Sequence, residues 1–336
     1  MSPLLRSPVA GVGVDLCYPL LLNTSCRRTL RPRSQASFLY FALSSVALLT
    51  VLLNLLVIIS ISHFRQLHTP TNLVLLSLAC SDLLIGLLVM PLMAQHFIRT
   101  CWYLGQRACT ASYTLTFVLT STSVGNILLI SVDRYVAICQ PLRYTSEVTV
   151  RRVQLAVSLC WACAVLYNCS IVQDSLREPG KHSMCHGDCV VEVGVVVVVV
   201  DLLVTFFAPV SVVVALYARV FAAALSQTRQ MRSSRTRQMR SSRVAGTVAR
   251  RSELKAAVTL GVVVVVFLAC FCPYYYPLIA GQDNEVVGFW VAWLVYLNSF
   301  LNPLMYAFFY PWFRKAIRLI VTLQILQSDS CQANIF

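Results

Sequence analysis

Seven long apolar segments dominate the chain, near residues 36–63, 71–98, 106–139, 150–172, 193–224, 254–280 and 287–309. About 20 helical residues cross the hydrocarbon core of a bilayer, so each segment is long enough to span it. Composition agrees: 58% of the 336 residues are hydrophobic and only 12% are charged, against about a quarter charged in a soluble domain. Apolar surface in that excess needs lipid as its solvent. The net charge of +14 would also suit nucleic acid, but the arginines gather between the spans, as in the inner loops of membrane proteins. Membrane lipid, and no nucleic acid, is therefore the expected partner. The run Val195–Val200 reads as a strand by propensity. An isolated strand in lipid would leave its backbone unpaired, so a helix is predicted there too. The expected fold is an all-α membrane protein, a bundle of seven transmembrane helices.

Residues 1–35 carry no long apolar core followed by a cleavage site, so the first span is expected to act as its own insertion signal. The sequon Asn23-Thr24-Ser25, beside Cys17 and Cys26, favours an extracellular N-terminus glycosylated on Asn23. Arg27, Arg28, Arg31 and Arg33 in the same leader run against the positive-inside rule, so orientation rests on the other loops. An outside start places residues 64–70, 140–149, 225–253 and the C-terminus inside. The 225–253 loop holds eight arginines (229, 232, 235, 237, 240, 243, 250 and 251), as an inner loop should. Cys17, Cys26, Cys101, Cys109, Cys185 and Cys189 then all lie outside, and an even number in an oxidising space predicts disulfides. The octapeptide TRQMRSSR occurs twice in tandem, at 228–235 and 236–243. This is a local duplication in a tolerant basic loop, suited to anionic headgroups or an acidic partner, or simply a solvated inner loop.

The third segment sets the frame for the chemistry. Cys109 and Arg134 are 25 residues apart, about 37 Å along a helix, roughly a bilayer thickness. The segment therefore carries a thiol at one face and the triplet Asp133-Arg134-Tyr135 at the other. Burying an ionisable group in a membrane is costly, so each such group is a functional candidate. Three acids qualify. Asp133 adjoins Arg134, and Glu253 at the start of the sixth span completes a two-carboxylate clamp whose opening would free a cationic donor. Asp82 lies mid-helix with Ser123, Asn298, Ser299 and Asn302 as polar neighbours, which suits a sodium ion, a proton or a neutral hydrogen-bonded acid. Asp201 interrupts VGVVVVVVDLLVTFFAP eight residues before Pro209, about 12 Å along the helix. Its segment holds no nearby base. With Phe117, Phe271, Tyr274, Tyr275, Trp293 and Tyr296 at similar depth, it predicts an aromatic pocket with one anion, the form in which proteins hold ammonium groups. Aromatics at helical spacing also serve as plain packing; the lone acid favours the pocket. No histidine lies mid-span and no inverted repeat is visible, so neither an intramembrane enzyme nor a transporter is supported.

An ordered set of residues now resembles a known family, the rhodopsin-like G-protein-coupled receptors, over residues 36–320. It comprises Asn54, LSLACSDLL with Asp82, Cys109 with Asp133-Arg134-Tyr135, Trp161, Pro209 with Tyr217, Pro273 and NPLMY at 302–306. LHTPTN at 67–72, CWYLG from Cys101, the Cys185/Cys189 pair and NSFLNPLMYAFFYPWFRKA at 298–316 resemble the trace amine-associated receptors within it. The resemblance implies a non-enzymatic plasma-membrane receptor for small amines, often olfactory, acting through a stimulatory G protein and cyclic AMP. Residues 310–336 would form a short amphipathic eighth helix and a cytoplasmic tail. Asp133, Arg134, Tyr135, Glu253, Tyr217, Asn302, Pro303 and Tyr306 would carry activation and G-protein coupling. The resemblance also implies a disulfide Cys109–Cys189 and, from an N-terminal tether, Cys17–Cys185 and Cys26–Cys101.

Three departures matter. The aspartate that most amine receptors carry seven residues after the helix-3 cysteine is Thr116 here, which cannot neutralise an ammonium group. A divergent branch resembling this chain moves the counter-ion to helix 5, eight residues before its proline, where Asp201 stands. The usual Trp two residues before the helix-6 proline is Phe271, and the Gly before Asn54 is Leu53. A serotonin-type biogenic-amine receptor, or a receptor for a non-amine ligand with Asp201 structural, are the alternatives. A diamine would want a second acid, for which Asp174, Glu178, Asp283 and Glu285 are loop candidates.

Overall fold

The computed structural model describes residues 14–335 apart from 22, 30, 182, 192, 238–260, 277–284 and 328–329. The described helices are α1 (Arg33–His63), α2 (Pro70–Arg99), α3 (Gln106–Cys139), α4 (Val150–Ile171), α5 (Val195–Arg237), α6 (Gly261–Tyr276), α7 (Glu285–Phe309) and α8 (Pro311–Val321). Short helices Pro141–Glu147 and Gln173–Arg177 follow α3 and α4. All of α1–α5 and α7 are long and apolar enough to cross a membrane, and α6 is a shorter apolar helix. Side chains such as Leu48, Leu155, Leu166 and Val196 are exposed, as expected of a bundle whose outer face is solvated by lipid. The valine run is helical, as the backbone's need for hydrogen bonds in lipid requires.

Local sequence explains the element ends. Thr69 caps α2 by accepting from Asn72 N–H at 3.3 Å, with Pro70 at the first helical position. Thr149 caps α4 in the same way through Arg152 N–H. Pro311 opens α8, whose Trp312, Phe313 and Ala316 are buried while Arg314 and Lys315 are exposed. Two helices widen into π turns, Ile85–Val89 in α2 and Leu202–Phe207 in α5. Each ends two residues before a proline, Pro91 and Pro209. Proline cannot donate to the carbonyl four residues back and its ring clashes there, so the extra residue relieves the strain.

At the Cys109 end of the bundle, strands β1 (Val14–Leu16) and β2 (Arg27–Thr29) form an antiparallel hairpin with Val14 opposite Thr29. Here the structure corrects one expectation. Cys17 is bonded to Cys101 and Cys26 to Cys185, not Cys17 to Cys185 and Cys26 to Cys101. Backbone bonding decides the exchange. Cys26 N–H donates to His186 O at 2.9 Å and His186 N–H to Thr24 O at 2.7 Å, so the Cys26 strand lies along the loop beside Cys185. Cys17 is bonded to Cys101, the neighbour of Trp102, whose N–H donates to Gly187 O at 2.8 Å. Gly187 has φ +103°, and a Cβ there would meet Cys17 Cβ at 2.8 Å, so only glycine permits this approach. Cys109 is bonded to Cys189, tying the α4–α5 loop to the first turn of α3.

Candidate functional site

Helix α3 runs through the bundle against α2, α4 and α5. Asp201 is the last residue before the α5 π turn and is half-buried. Tyr167 Oη on α4 donates to Asp201 Oδ1 at 3.1 Å, and Thr205 Oγ1 donates to the Asp201 carbonyl at 2.7 Å. Tyr275 is buried, packing on Phe206 with ring centroids 4.2 Å apart and on Tyr274 edge-on at 5.1 Å. Among the described residues no basic side chain forms an ion pair with Asp201. An acid met by a single phenol, with no cation of its own among the described residues, is chemically a receptor for a positive charge.

The other expected lining residues are dispersed. Thr116 is buried with its hydroxyl turned back onto Ser112 O at 2.8 Å, and Tyr296 lies beside it. Phe117 meets Tyr113 at 6.1 Å. Phe271 is buried on Phe267, centroids 4.3 Å apart. Trp293 packs with Leu43, Met90 and Tyr296 in a cluster shared with α1 and α2, and makes its ring contacts with Phe289 and Tyr296. Sequence reasoning overlooked Tyr167, Tyr113 and Phe206. A tyrosine inside an apolar span has a hydroxyl to satisfy, and that signal at Tyr167 was available.

At the other end of α3, Asp133 and Arg134 form a buried ion pair. Arg134 Nε donates to Asp133 Oδ2 at 2.9 Å and Nη2 to Thr71 Oγ1 at 2.7 Å, while Thr71 Oγ1 donates to the same carboxylate oxygen. Tyr144 Oη, from the short helix after α3, donates to Asp133 Oδ1 at 3.0 Å. Burial, and then the charge of Asp133, push the Tyr144 hydroxyl above its ordinary range, so it stays a donor. Thr71 and Tyr144 were not anticipated; Glu253, the second arm of the expected clamp, lies outside the described residues. Tyr135 packs against Ile138 and Val220, and Tyr217, Pro303 and Tyr306 are buried nearby in α5 and α7.

Between these ends Asp82 is fully buried and accepts from Asn302 Nδ2 at 2.9 Å. Ser123 pairs with Ser81 at 3.2 Å, and Asn54 Nδ2 donates to Ser299 O at 2.9 Å. Asp82 Oδ1, Asn298 Oδ1 and Asn302 Oδ1 are buried without a protein hydrogen bond. Buried oxygens from one carboxylate and several amides are the donor set a hard monovalent cation takes, so these residues fit sodium.

A family model described as 7 transmembrane receptor (rhodopsin family) matches residues 53–306. The chain belongs to this receptor family. Its similarity to trace amine-associated receptors runs nearly end to end. It is 38% identical to trace amine-associated receptor 13c of Danio rerio over 332 residues, 96% of each chain. It is 37% identical to receptor 6 of Pan troglodytes over 338 residues, covering 97% of this chain and 96% of the relative. Receptor 1 of Macaca mulatta is 33% identical over 327 residues, covering 94% and 97%. The chain is thus a multi-pass G-protein-coupled receptor of the trace amine-associated group, and not an enzyme.

Proposed function

We propose that the receptor senses small amines at the plasma membrane, holding the ammonium on Asp201. The observation that carries this is a single acid inside an apolar helix, met by the Tyr167 hydroxyl, with no basic partner among the described residues. Thr116, Phe117, Phe271, Trp293 and Tyr296 form the wider wall around the ligand's apolar part. The N-terminus lies outside, where Asn23 is exposed and open to glycosylation, and the Arg134 end meets a stimulatory heterotrimeric G protein that raises cyclic AMP. Olfactory expression fits a sensor of this kind.

The ammonium ion joins the carboxylate opposite Tyr167 and stacks on the tyrosine faces. It stabilises the bundle with α5 drawn toward α6 through Phe206 and Tyr275, whose rings already touch. An active state with α6 displaced from the α3 end exposes Arg134 to the G protein. Binding favours that state by differential affinity. In the resting state Asp133 and Thr71 hold Arg134, and Tyr144 holds the Asp133 carboxylate. Asn302, Pro303 and Tyr306 of α7, with Tyr217 of α5, are the elements that rearrange. A sodium ion held by Asp82, Ser123, Asn298 and Asn302 would neutralise the buried Asp82 carboxylate and favour the resting state.

The hydrogen bond from Tyr167 also suits a second reading, in which Asp201 is structural and the ligand uncharged. An amine and the alcohol of the same carbon skeleton separate the two in a cyclic AMP assay. The amine should act at least about 30-fold more potently, the loss expected when one partner of a desolvated charge pair, worth about 2 kcal/mol or more, is neutralised. Equal potencies would favour the structural role.

A further inference from the structure

Arg27 and Arg31 of the leader, Arg33 at the start of α1 and Arg99 at the end of α2 put positive charge at the Cys109 end of the bundle. None of them forms an ion pair among the described residues. The amine site makes no use of them. Two are fixed against the last turn of α2. The Arg31 guanidinium carbon lies 4.2 Å from the Phe97 ring centroid. Arg99 Nε donates to Tyr40 Oη of α1 at 3.0 Å. The Arg99 side chain is exposed, and its two Nη nitrogens take no partner among the described residues.

Tyr40 also lines a groove of about 410 Å³ between α1 and α2. Along α1 the groove follows Tyr40, Ser44, Leu48 and Val51, a spacing that keeps to one helix face. Tyr40 and Val51 are eleven residues apart, about 16 Å along the helix, and one leaflet's share of the hydrocarbon core is about 15 Å. Leu87, Pro91 and Gln95 of α2 form the opposite wall. Leu48 and Leu87 are 59% and 55% exposed, so the groove opens away from the bundle, toward lipid. At its Val51 end, Gly86 brings the π turn of α2 against α1: a Cβ there would meet Thr50 Cγ2 at 2.9 Å and Val51 Cγ2 at 3.2 Å. At the other end Gln95 and Arg99 are four residues apart and share a face of α2. The groove is therefore apolar along one leaflet and ends on a guanidinium.

We propose that this groove is a site for an anionic phospholipid of the leaflet at the Cys109 end, with one acyl chain in the groove and the phosphate on Arg99. Charge and length together select the occupant. A guanidinium whose Nε is already held by Tyr40 presents its Nη pair in a fixed direction, and phosphate oxygens accept from such a fork in pairs. Ser44 and Gln95 make no side-chain hydrogen bond among the described residues and donate to the ester and glycerol oxygens between phosphate and chain. Arg31 and the other arginines at this end add attraction for a negative headgroup. A sterol would cover the apolar length but leave the guanidinium without an anion. The site lies on α1 and α2, whereas the amine site is built on α5 and α4.

The test uses the purified full-length receptor in phosphatidylcholine nanodiscs that hold a small fraction of phosphatidylglycerol carrying a diazirine in one acyl chain. Crosslinked peptides are mapped by mass spectrometry. The variants are Arg99→Gln, which removes the charge, and Ser44→Phe, which puts a ring into the groove from an exposed position. Thermal unfolding in phosphatidylcholine alone, unchanged in both, checks that they fold. The expected result is crosslinking concentrated on residues 43–51 and 86–95. It should fall about fivefold in Arg99→Gln, the contribution of one arginine at an anionic membrane surface, and be lost from these peptides in Ser44→Phe. Excess soluble glycerol phosphate should leave it unchanged, since the chain holds the lipid in place. Labelling spread evenly over the helices, or equal labelling by the same reagent built on phosphatidylcholine, would overturn the proposal. So would displacement by glycerol phosphate, which would mark a site for a soluble anion, or by a sterol. Where a variant fails to fold, the comparison of the two phospholipids on the unmodified receptor decides alone.

Discussion

A carboxylate in the apolar interior is held in place by whatever donors reach it. For Asp201 that donor is the hydroxyl of Tyr167 at 3.1 Å, on a different helix. Hydrogen bonds to charged groups are worth about 1.5–3 kcal/mol, more than neutral ones. Removing the hydroxyl in Tyr167→Phe keeps the ring and its packing but leaves the carboxylate free to turn away from the ligand. Amine potency should fall about tenfold, roughly 1.4 kcal/mol, while surface expression holds; concentration–response curves at matched receptor density check this. Asp201 was legible in the sequence because an acid in a run of valines has no cheap explanation in lipid. Tyr167 was less so, since a tyrosine in a span satisfies its hydroxyl in many ways. Trp293 was named for its depth along α7, and there it packs beside Tyr296 in a cluster shared with α1 and α2.

Direction is a property of elements, and in α5 a proline alters it. The π turn Leu202–Phe207 inserts a residue, and one residue corresponds to about 100° of rotation about the helix axis. Counting back from Pro209 at regular helical spacing therefore gives the depth of Asp201 but not the face it presents. Pro209→Ala restores the missing N–H and removes the ring clash, which permits a regular helix. Amine potency should then drop at least tenfold although Asp201 is still present, and radioligand or tracer binding should fall in parallel. Unaltered binding would show that the widened turn does not set the carboxylate's position. The helices themselves were legible from the sequence, because lipid leaves a hydrophobic segment almost no alternative to a helix. The π turns were not, since prolines alone do not say whether a helix kinks, widens or ends.

At the scale of the whole molecule, the N-terminal hairpin and the α4–α5 loop form one cross-linked cap over the Cys109 end of the bundle. Cys17–Cys101 and Cys26–Cys185 join chain positions 84 and 159 residues apart. Four cysteines permit three pairings, and neither spacing nor charge separates them. The choice follows from backbone bonds between Cys26, Thr24 and His186 that only the folded hairpin creates. Peptide mapping without reduction should recover a Cys17–Cys101 and a Cys26–Cys185 linked pair; the exchanged pairs would contradict the cap as described.

The most direct test of the amine site is the concentration–response curve of Asp201→Asn to its best amine, with surface expression matched to the unmodified receptor and cyclic AMP as the readout. Asparagine keeps the size and can still accept from Tyr167 but carries no charge. The predicted result is a loss of potency of at least about 30-fold, equivalent to about 2 kcal/mol, at normal surface expression. A curve superimposable on that of the unmodified receptor would contradict the assignment of the ammonium to Asp201.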